Sequence, residues 1–157
     1  MQGSEQVIHG LNRALSAELT AIVQYMMQAE MCEAWGYGKL AAATKKRAIE
    51  EMRHAEGLIE RILYLDGKPA VDVPLAPKIG DDPKAQLELD FKDEADAIRQ
   101  HNTAMAVCAA EGDNGTRQLF LKMLHDEEQH ADYLESQLGL ISQLGVQNYL
   151  AGQTQGQ

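Results

Sequence analysis

The sequence predicts an all-α protein: an antiparallel four-helix bundle with one long crossover connection and a short fifth helix. Apolar positions recur at steps of three, four or seven residues through long stretches of the chain. Aromatic residues make up only 5% of the composition, and strong helix formers such as Ala, Leu, Glu and Met are frequent. A chain of 157 residues has room for one domain with a sizeable core. We therefore expect residues 1–157 to form a single domain, with the bundle at about 4–138.

The first half of the chain predicts two long helices. One stretch runs from about residue 4 to residue 35, where the Gly36-Tyr37-Gly38 segment interrupts it. A second runs from about residue 39 to residue 66, and Gly67 is expected to cap its C terminus. These two stretches predict an antiparallel helix pair joined by a tight turn.

The segment at about 67–83 predicts a crossover between helices two and three. It holds all four prolines of the chain and cannot be helical throughout. A helix of about 28 residues is about 42 Å long, and roughly 13 extended residues could span that distance. The segment is therefore long enough to cross the whole bundle.

The second half predicts another helix pair and a short final helix. Asp82 is a good N-cap, followed by proline at the first helical position. The third stretch ends near residue 111, and the fourth runs from about residue 116 to residue 137. Gly139 and Gly145 are expected to bracket a break before a short helix at about 146–151.

A repeated triplet of polar residues is the most informative motif. A glutamate is followed 33 residues later by Glu-x-x-His, and the whole pattern recurs 76 residues further on. Residues three apart lie on one face of a helix, so each Glu-x-x-His pair can direct a carboxylate and an imidazole at one point. The six residues are Glu18, Glu51, His54, Glu94, Glu127 and His130.

This residue set predicts a two-metal centre inside the bundle. Four carboxylates and two histidines are the ligands of carboxylate-bridged di-iron or di-manganese sites. Oxygen-rich coordination suits iron or manganese better than zinc, which favours nitrogen and sulfur. The structural alternative is a set of buried groups paired with Arg or Lys, and burying four carboxylates without a metal would be costly.

Other positions share the 76-residue offset or break it. Tyr25 and His101 correspond to each other. Either both side chains act close to the metals, or they are a packed tyrosine and a satisfied buried histidine of the core. Cys32 and Cys108 also correspond, and the antiparallel arrangement places them at opposite ends of the bundle, too far apart for a disulfide. Met52 has no matching methionine and faces away from the metal side. It is an interface residue, or a haem ligand paired with its own copy across a two-fold axis.

Composition excludes several classes of partner. The net charge of -10 argues against nucleic acid or anionic membrane and suits cation attraction. The chain lacks an apolar run long enough to span a bilayer and a recognisable signal peptide, so we expect a cytoplasmic protein. It also lacks a CxxC pair.

At this level of detail the sequence resembles bacterioferritin over nearly its full length. The resemblance is carried by Glu18, the EEMRHAE segment at 50–56, Glu94 and the HDEEQHAD segment at 125–132. The crossover and the short fifth helix are also similar. Met52 beside Glu51 is the specific feature, because ordinary ferritins share the bundle but lack that methionine.

The resemblance implies a ferritin-like fold and a 24-subunit cage that oxidises Fe2+ with O2 or H2O2 and stores a ferric mineral. It implies a diiron centre with Glu18 and Glu94 as terminal ligands, Glu51 and Glu127 as bridges, and one histidine per iron. Met52 would bind b-type haem between two subunits, so that haem-bridged dimers build the cage. A ferredoxin-like protein is a candidate electron donor for iron release. Lys46 replaces a histidine that binds an extra iron in some relatives, and Asn148 is a candidate residue of the four-fold channels.

Two other functions remain open from the sequence. A rubrerythrin-like diiron peroxidase, or another small diiron redox enzyme, would use the same six residues. The missing CxxC module and the lack of an extra substrate-binding segment disfavour it. A non-catalytic haem-binding or DNA-protecting cage is the other alternative, and the acidic charge disfavours the DNA-binding version.

Overall fold

The computed structural model describes residues 1–71 and 73–154, and their regular elements are all helical. The helices are α1 (Glu5–Ala34), α2 (Gly38–Tyr64), α3 (Pro83–Ala110), α4 (Asn114–Leu144) and α5 (Val146–Ala151). This confirms the predicted all-α class, the two helix pairs and the short final helix.

Local sequence signals set most helix ends. The Ser4 hydroxyl caps α1 by accepting from the backbone of residues 6 and 7. Asp82 caps α3 in the same way and accepts from Ala85 at 2.8 Å, with Pro83 at the first helical position. Gly36 has a φ of 88°, a left-handed conformation that ends the first helix within one turn.

Two predicted helix ends are wrong. α4 continues through Gly139 to Leu144 and ends at Gly145, which has a φ of 80°. A single internal glycine costs only about 1 kcal/mol, and Ile141 beyond it is buried in the core. α2 ends at Tyr64, and Asp66 rather than Gly67 adopts the left-handed conformation, with a φ of 60°.

The four long helices form two antiparallel pairs, α1 with α2 and α3 with α4, and α1 packs on α3. Contacts at the two ends of the bundle show that α1 and α3 are antiparallel. Ser4 Oγ donates to Glu111 Oε1 at 2.6 Å at one end, and Cys32 Sγ donates to Gln86 Oε1 at 3.2 Å at the other. The long connection is therefore the crossover that the sequence predicts.

The described residues of the crossover, 65–71 and 73–82, lie along α1 and are held there by polar side chains of that helix. Asn12 accepts from the backbone of Ala70 at 2.8 Å and donates to the carbonyl of residue 68. Further along, Gln24 accepts from the backbone of Lys78 at 2.9 Å, and Gln28 accepts from Gly80 at 3.1 Å. Because a loop has no regular backbone hydrogen bonds of its own, these side chains pair backbone groups that would otherwise be unpaired.

Apolar packing is concentrated in two clusters at opposite ends of the bundle. One includes Leu11, Leu58, Phe120 and Cys108, and the other includes Leu40, Leu134 and Cys32. The two cysteines are buried, free and separated, as the sequence predicts. Among the described residues, the helices are not long and apolar enough to cross a membrane. The polar middle layer between the two clusters is where the predicted site lies.

Candidate metal centre

The structure brings all six residues of the repeated triplet together in the buried middle of the bundle. α1 and α3 each contribute one glutamate, and α2 and α4 each contribute a Glu-x-x-His pair. Each of the six side chains is at least nine-tenths buried. Helical spacing explains the arrangement, because each pair lies on the inward face of its helix one turn apart.

The six residues form two overlapping groups of possible metal ligands. One group is Glu18, Glu51, His54 and Glu127, and the other is Glu51, Glu94, Glu127 and His130. Within each group the potential ligand atoms lie within 4.8 Å of one another. Glu51 and Glu127 belong to both groups. The geometry is that of two adjacent sites sharing two carboxylates.

The donor atoms of these groups are unpaired in the way that a metal site requires. Every one of the six residues has a buried oxygen or Nδ1 atom without a hydrogen-bond partner among the described residues. The ion pairs of these residues involve histidine rather than Arg or Lys across the described part of the chain. Unpaired buried polar atoms are expensive, so the structure favours a metal site over the structural alternative of Arg or Lys pairing.

Burial and mutual contact perturb the acid–base behaviour of the site. Burial raises the pKa of Glu127 to about 10 and raises the pKa of Glu18 and Glu51 as well. Burial alone would lower the pKa of His54, but its interactions with Glu127 and Glu18 raise that pKa to about 12. The metal-free site therefore retains protons at neutral pH, and these protons stand in for cations.

Two further carboxylates, which the sequence analysis missed, hold the histidines from outside. His54 Nε2 donates to Asp126 Oδ2 at 2.8 Å, and His130 Nε2 donates to Glu50 Oε2 at 2.5 Å. Each of these carboxylates therefore orients the Nδ1 atom of its histidine toward the glutamates of the site. Glu50 and Asp126 keep the 76-residue offset, and each immediately precedes a glutamate of the centre. Their place in the repeat is the signal that could have found them.

A buried ion pair lies beside the centre, next to Tyr25. Tyr25 donates to Glu94 Oε1 at 2.6 Å, and the guanidinium of Arg47 lies 4.8 Å from the centre of its ring. Arg47 also pairs with Asp90 at 2.7 Å, and Gln24 and Gln28 donate to the other oxygen of Asp90. Tyr25 is thus packed and also in direct contact with a glutamate of the site.

His101 is buried, but the alternative of a satisfied core histidine is wrong. Its exposed fraction is 3%, and neither ring nitrogen has a hydrogen-bond partner among the described residues. Nε2 lies 3.9 Å from Glu18 Oε1. Burial lowers the pKa of His101 to about 4, so the ring is neutral at pH 7.

Met52 lies outside this centre. Its side chain is 47% exposed on α2, and Met26 and Met27 on the neighbouring helix are 54% and 48% exposed. The exposure of Met52 agrees with the expectation that this residue faces away from the metal side of its helix. Lys46 and Asn148 are exposed as well.

The bundle, the crossover and the paired carboxylate–histidine groups together define a ferritin-like protein. The family profile described as Ferritin-like domain matches residues 8–144. The chain is 40% identical to the bacterioferritin of Rhodobacter capsulatus over 95% of its own length and 92% of that protein. It is 40% identical to the bacterioferritins of Mycolicibacterium paratuberculosis and Mycobacterium tuberculosis, over 96% of this chain and 95% of each relative. The chain belongs to the bacterioferritin family.

Proposed function

We propose that this protein stores iron, oxidising Fe2+ at the buried centre with O2 or H2O2 and depositing the ferric product as a mineral. The observation that supports this most strongly is the pair of carboxylate–histidine groups that share Glu51 and Glu127. Two divalent cations would balance the four negative charges of the glutamates, with both histidines neutral. Membership of the bacterioferritin family supports the same function.

Each residue has a distinct role in this proposal. One iron would be bound by Glu18 and His54 as terminal ligands, and the other by Glu94 and His130. Glu51 and Glu127 would bridge the two. Oxygen and nitrogen donors of this kind suit iron. Because each Nδ1 atom faces the glutamates, each imidazolium need only lose its Nδ1 proton to become a ligand.

The bound iron supplies the electrons of the reaction, one from each of two ferrous ions. The protein supplies a preformed and buried site, in which charge interactions are stronger than in water. Tyr25 fixes one oxygen of Glu94 by its hydrogen bond, so that the other oxygen, which is unpaired, remains free to bind a cation. Glu50 and Asp126 would keep both imidazoles oriented while protons leave the site.

A cavity of about 460 Å³ is the proposed entrance for Fe2+. It lies between α1, α3 and the crossover, and the four glutamates of the centre are at its base. Asp93 and Asp96 line it nearer the surface, and Lys78 is the cation among its lining residues. The excess of carboxylates would concentrate divalent cations at this opening.

The assembly we propose is a 24-subunit cage built from haem-bridged dimers. Bacterioferritin relatives support a homo-oligomeric cage, and the exposed methionines around Met52 suit a subunit interface. Met52 of two subunits would ligate one b-type haem. Replacing Met52 with leucine is expected to abolish haem binding while the cage stays assembled. Unchanged haem content per chain would refute the assignment. Cytoplasmic location and a ferredoxin-like electron donor remain predictions.

The ferroxidase assignment is tested by replacing two terminal glutamates together. Glu18→Ala with Glu94→Ala is expected to abolish the fast phase of ferrous oxidation measured by stopped-flow absorbance. Replacing Glu128, an exposed neighbour of Glu127 on the outer face of α4, is the matched control and should leave the fast phase unchanged. A fast phase that survives the double replacement would overturn the assignment.

A further inference from the structure

The crossover forms one wall of the proposed iron entrance. Its residues that line the cavity are Val73, Pro74, Ala76 and Lys78. Among the described residues, the backbone of this stretch is hydrogen-bonded to α1 at its two ends. The N–H of Val73 donates to Ser16 Oγ at 3.5 Å, and the N–H of Lys78 donates to Gln24 Oε1 at 2.9 Å. Gln24 is therefore the firmer of the two anchors of this wall.

The side chain of Gln24 is only 2% exposed and uses its whole amide group. Besides accepting from the crossover, its Nε2 atom donates to Asp90 Oδ1 at 3.0 Å and to Asp93 Oδ2 at 2.8 Å. A side-chain amide has two N–H donors, so both are used. One buried side chain therefore joins the crossover, the buried ion pair of Arg47 with Asp90, and the iron entrance.

Asp93 is the carboxylate that Gln24 holds at the entrance. It lines the cavity, and it forms no ion pair within the part of the chain that the structure describes. Asp96 at the same opening is paired with Arg99. The hydrogen bond from Gln24 reaches only the Oδ2 atom of Asp93, and its Oδ1 atom has no hydrogen-bond partner in the described ranges. An incoming cation therefore meets a carboxylate that is fixed in position and has one oxygen free.

Gln28, about one helical turn further along α1, makes similar contacts away from the entrance. It is fully buried, donates to Asp90 Oδ1 at 2.8 Å and accepts from the N–H of Gly80 at 3.1 Å. Gln28 is not among the residues that line the cavity. Both glutamines thus hold the crossover and Asp90, but Gln24 alone of the two adds a hydrogen bond to Asp93.

We propose that Gln24 is a positioning residue of the iron entrance, holding Asp93 and the crossover wall in place so that Asp93 steers divalent cations toward the buried centre. This inference rests on the proposed ferroxidase function. A charge at the mouth of a cleft with low-dielectric walls raises the rate at which an opposite charge associates. Because Asp93 is outside the two groups of metal ligands, losing its position should slow arrival and departure of the cation equally. The affinity of the centre should then stay the same.

The test compares Gln24→Met with Gln28→Met in the metal-free protein, with Co2+ as the probe. Both replacements remove one donor to Asp90 and one acceptor of a crossover N–H, and both keep an unbranched side chain. Stopped-flow absorbance gives the association rate, and calorimetric titration gives the dissociation constant. We expect Gln24→Met to slow association about tenfold, the low end of the range for electrostatic steering, because the charge of Asp93 remains. The dissociation constant and the two ions per chain should not change.

The control variant decides between positioning and a general structural effect. Gln28→Met should associate with Co2+ at the wild-type rate. Equal slowing in Gln24→Met and Gln28→Met would show that the shared contacts to Asp90 and the crossover are responsible, and would overturn the inference. A wild-type association rate in Gln24→Met, or a loss of affinity that accounts for its slower binding, would overturn it as well.

A second variant tests whether Gln24 acts through Asp93. Asp93→Asn changes a partly buried side chain and remains informative even if Gln24→Met does not fold. It should slow Co2+ association at least as much as Gln24→Met does, and Gln24→Met should add little in that background. Wild-type association in Asp93→Asn, or an undiminished effect of Gln24→Met in its background, would overturn the inference. A wild-type protein that binds two Co2+ ions per chain without oxidising Fe2+ would instead refute the proposed function alone.

Discussion

Removing either of the two outer carboxylates should weaken one metal site selectively. Glu50 holds only His130 and Asp126 holds only His54, so Glu50→Ala and Asp126→Ala act on different members of the pair. Outer partners of metal-bound histidines typically contribute about 10–100-fold in metal affinity. The side chains of Glu50 and Asp126 are 34% and 40% exposed, so water can replace part of the lost hydrogen bond. We therefore expect the lower end, about tenfold or about 1.4 kcal/mol for each.

The assay is calorimetric titration of the metal-free protein with Co2+, a redox-stable substitute for Fe2+ under these conditions. The wild type should bind two ions per chain. Each single variant should weaken one of the two binding events, and the double variant should weaken both. Glu128→Ala, which removes an exposed carboxylate from the same helix as Asp126, is the control and should bind as the wild type does.

A double-mutant cycle makes the test specific. If Glu50 acts by orienting His130, Glu50→Ala should add nothing in a His130→Ala background. An undiminished effect in that background would show that Glu50 acts through bulk charge. Wild-type affinity in both Glu50→Ala and Asp126→Ala would refute the positioning role altogether.

Three further predictions concern charged side chains of the bundle. Arg47→Met should lower the free energy of unfolding of the metal-free protein by about 3–5 kcal/mol, because it leaves Asp90 buried and unpaired. Arg47→Met with Asp90→Leu should recover most of that loss, and equal destabilisation of the single and double variants would contradict this. Burial would raise the pKa of Asp113, but hydrogen bonds from Thr116 and Arg61 lower it below its ordinary value of 3.8. The contribution of Asp113 to the free energy of unfolding is therefore present above pH 3.8 and is lost as the pH falls through the lower pKa of the folded state. The stability difference between wild type and Asp113→Asn should shrink as the pH falls from about 6 to about 3 in chemical denaturation, and a constant difference would be contrary evidence. Because burial raises the pKa of Glu127 to about 10, metal binding at pH 7 should release protons. Calorimetry in two buffers of different ionisation enthalpy should then give different apparent heats, and identical heats would contradict the retained proton.

The sequence predicted the fold and the six central residues because both depend on regular spacing. Helical periodicity, the proline-rich crossover and the Asp82-Pro83 start are local signals, and the structure agrees with each. The 76-residue offset predicted which side chains would meet, since equivalent positions on two antiparallel pairs face the same interior. The roles of individual ligands remain predictions.

What the sequence did not predict depends on tertiary contact. Gly139 looked like a helix break, but burial of the neighbouring Ile141 keeps α4 helical through it. The sequence left open whether His101 would be a satisfied core histidine, and only the packing around it shows that both ring nitrogens are unpaired among the described residues. Glu50 and Asp126 lie beside the central glutamates in sequence, but their contacts to histidines cross from α2 to α4. Spacing alone does not distinguish such a contact from an exposed carboxylate.

Anomalous diffraction from crystals loaded anaerobically with Fe2+ would locate the iron ions of the proposed two-iron centre. We expect two iron peaks per chain in the middle of the bundle, one within reach of Glu18 and His54 and the other within reach of Glu94 and His130. Glu51 and Glu127 should lie between them. A single peak, or peaks only outside these two residue groups, would contradict the two-iron centre.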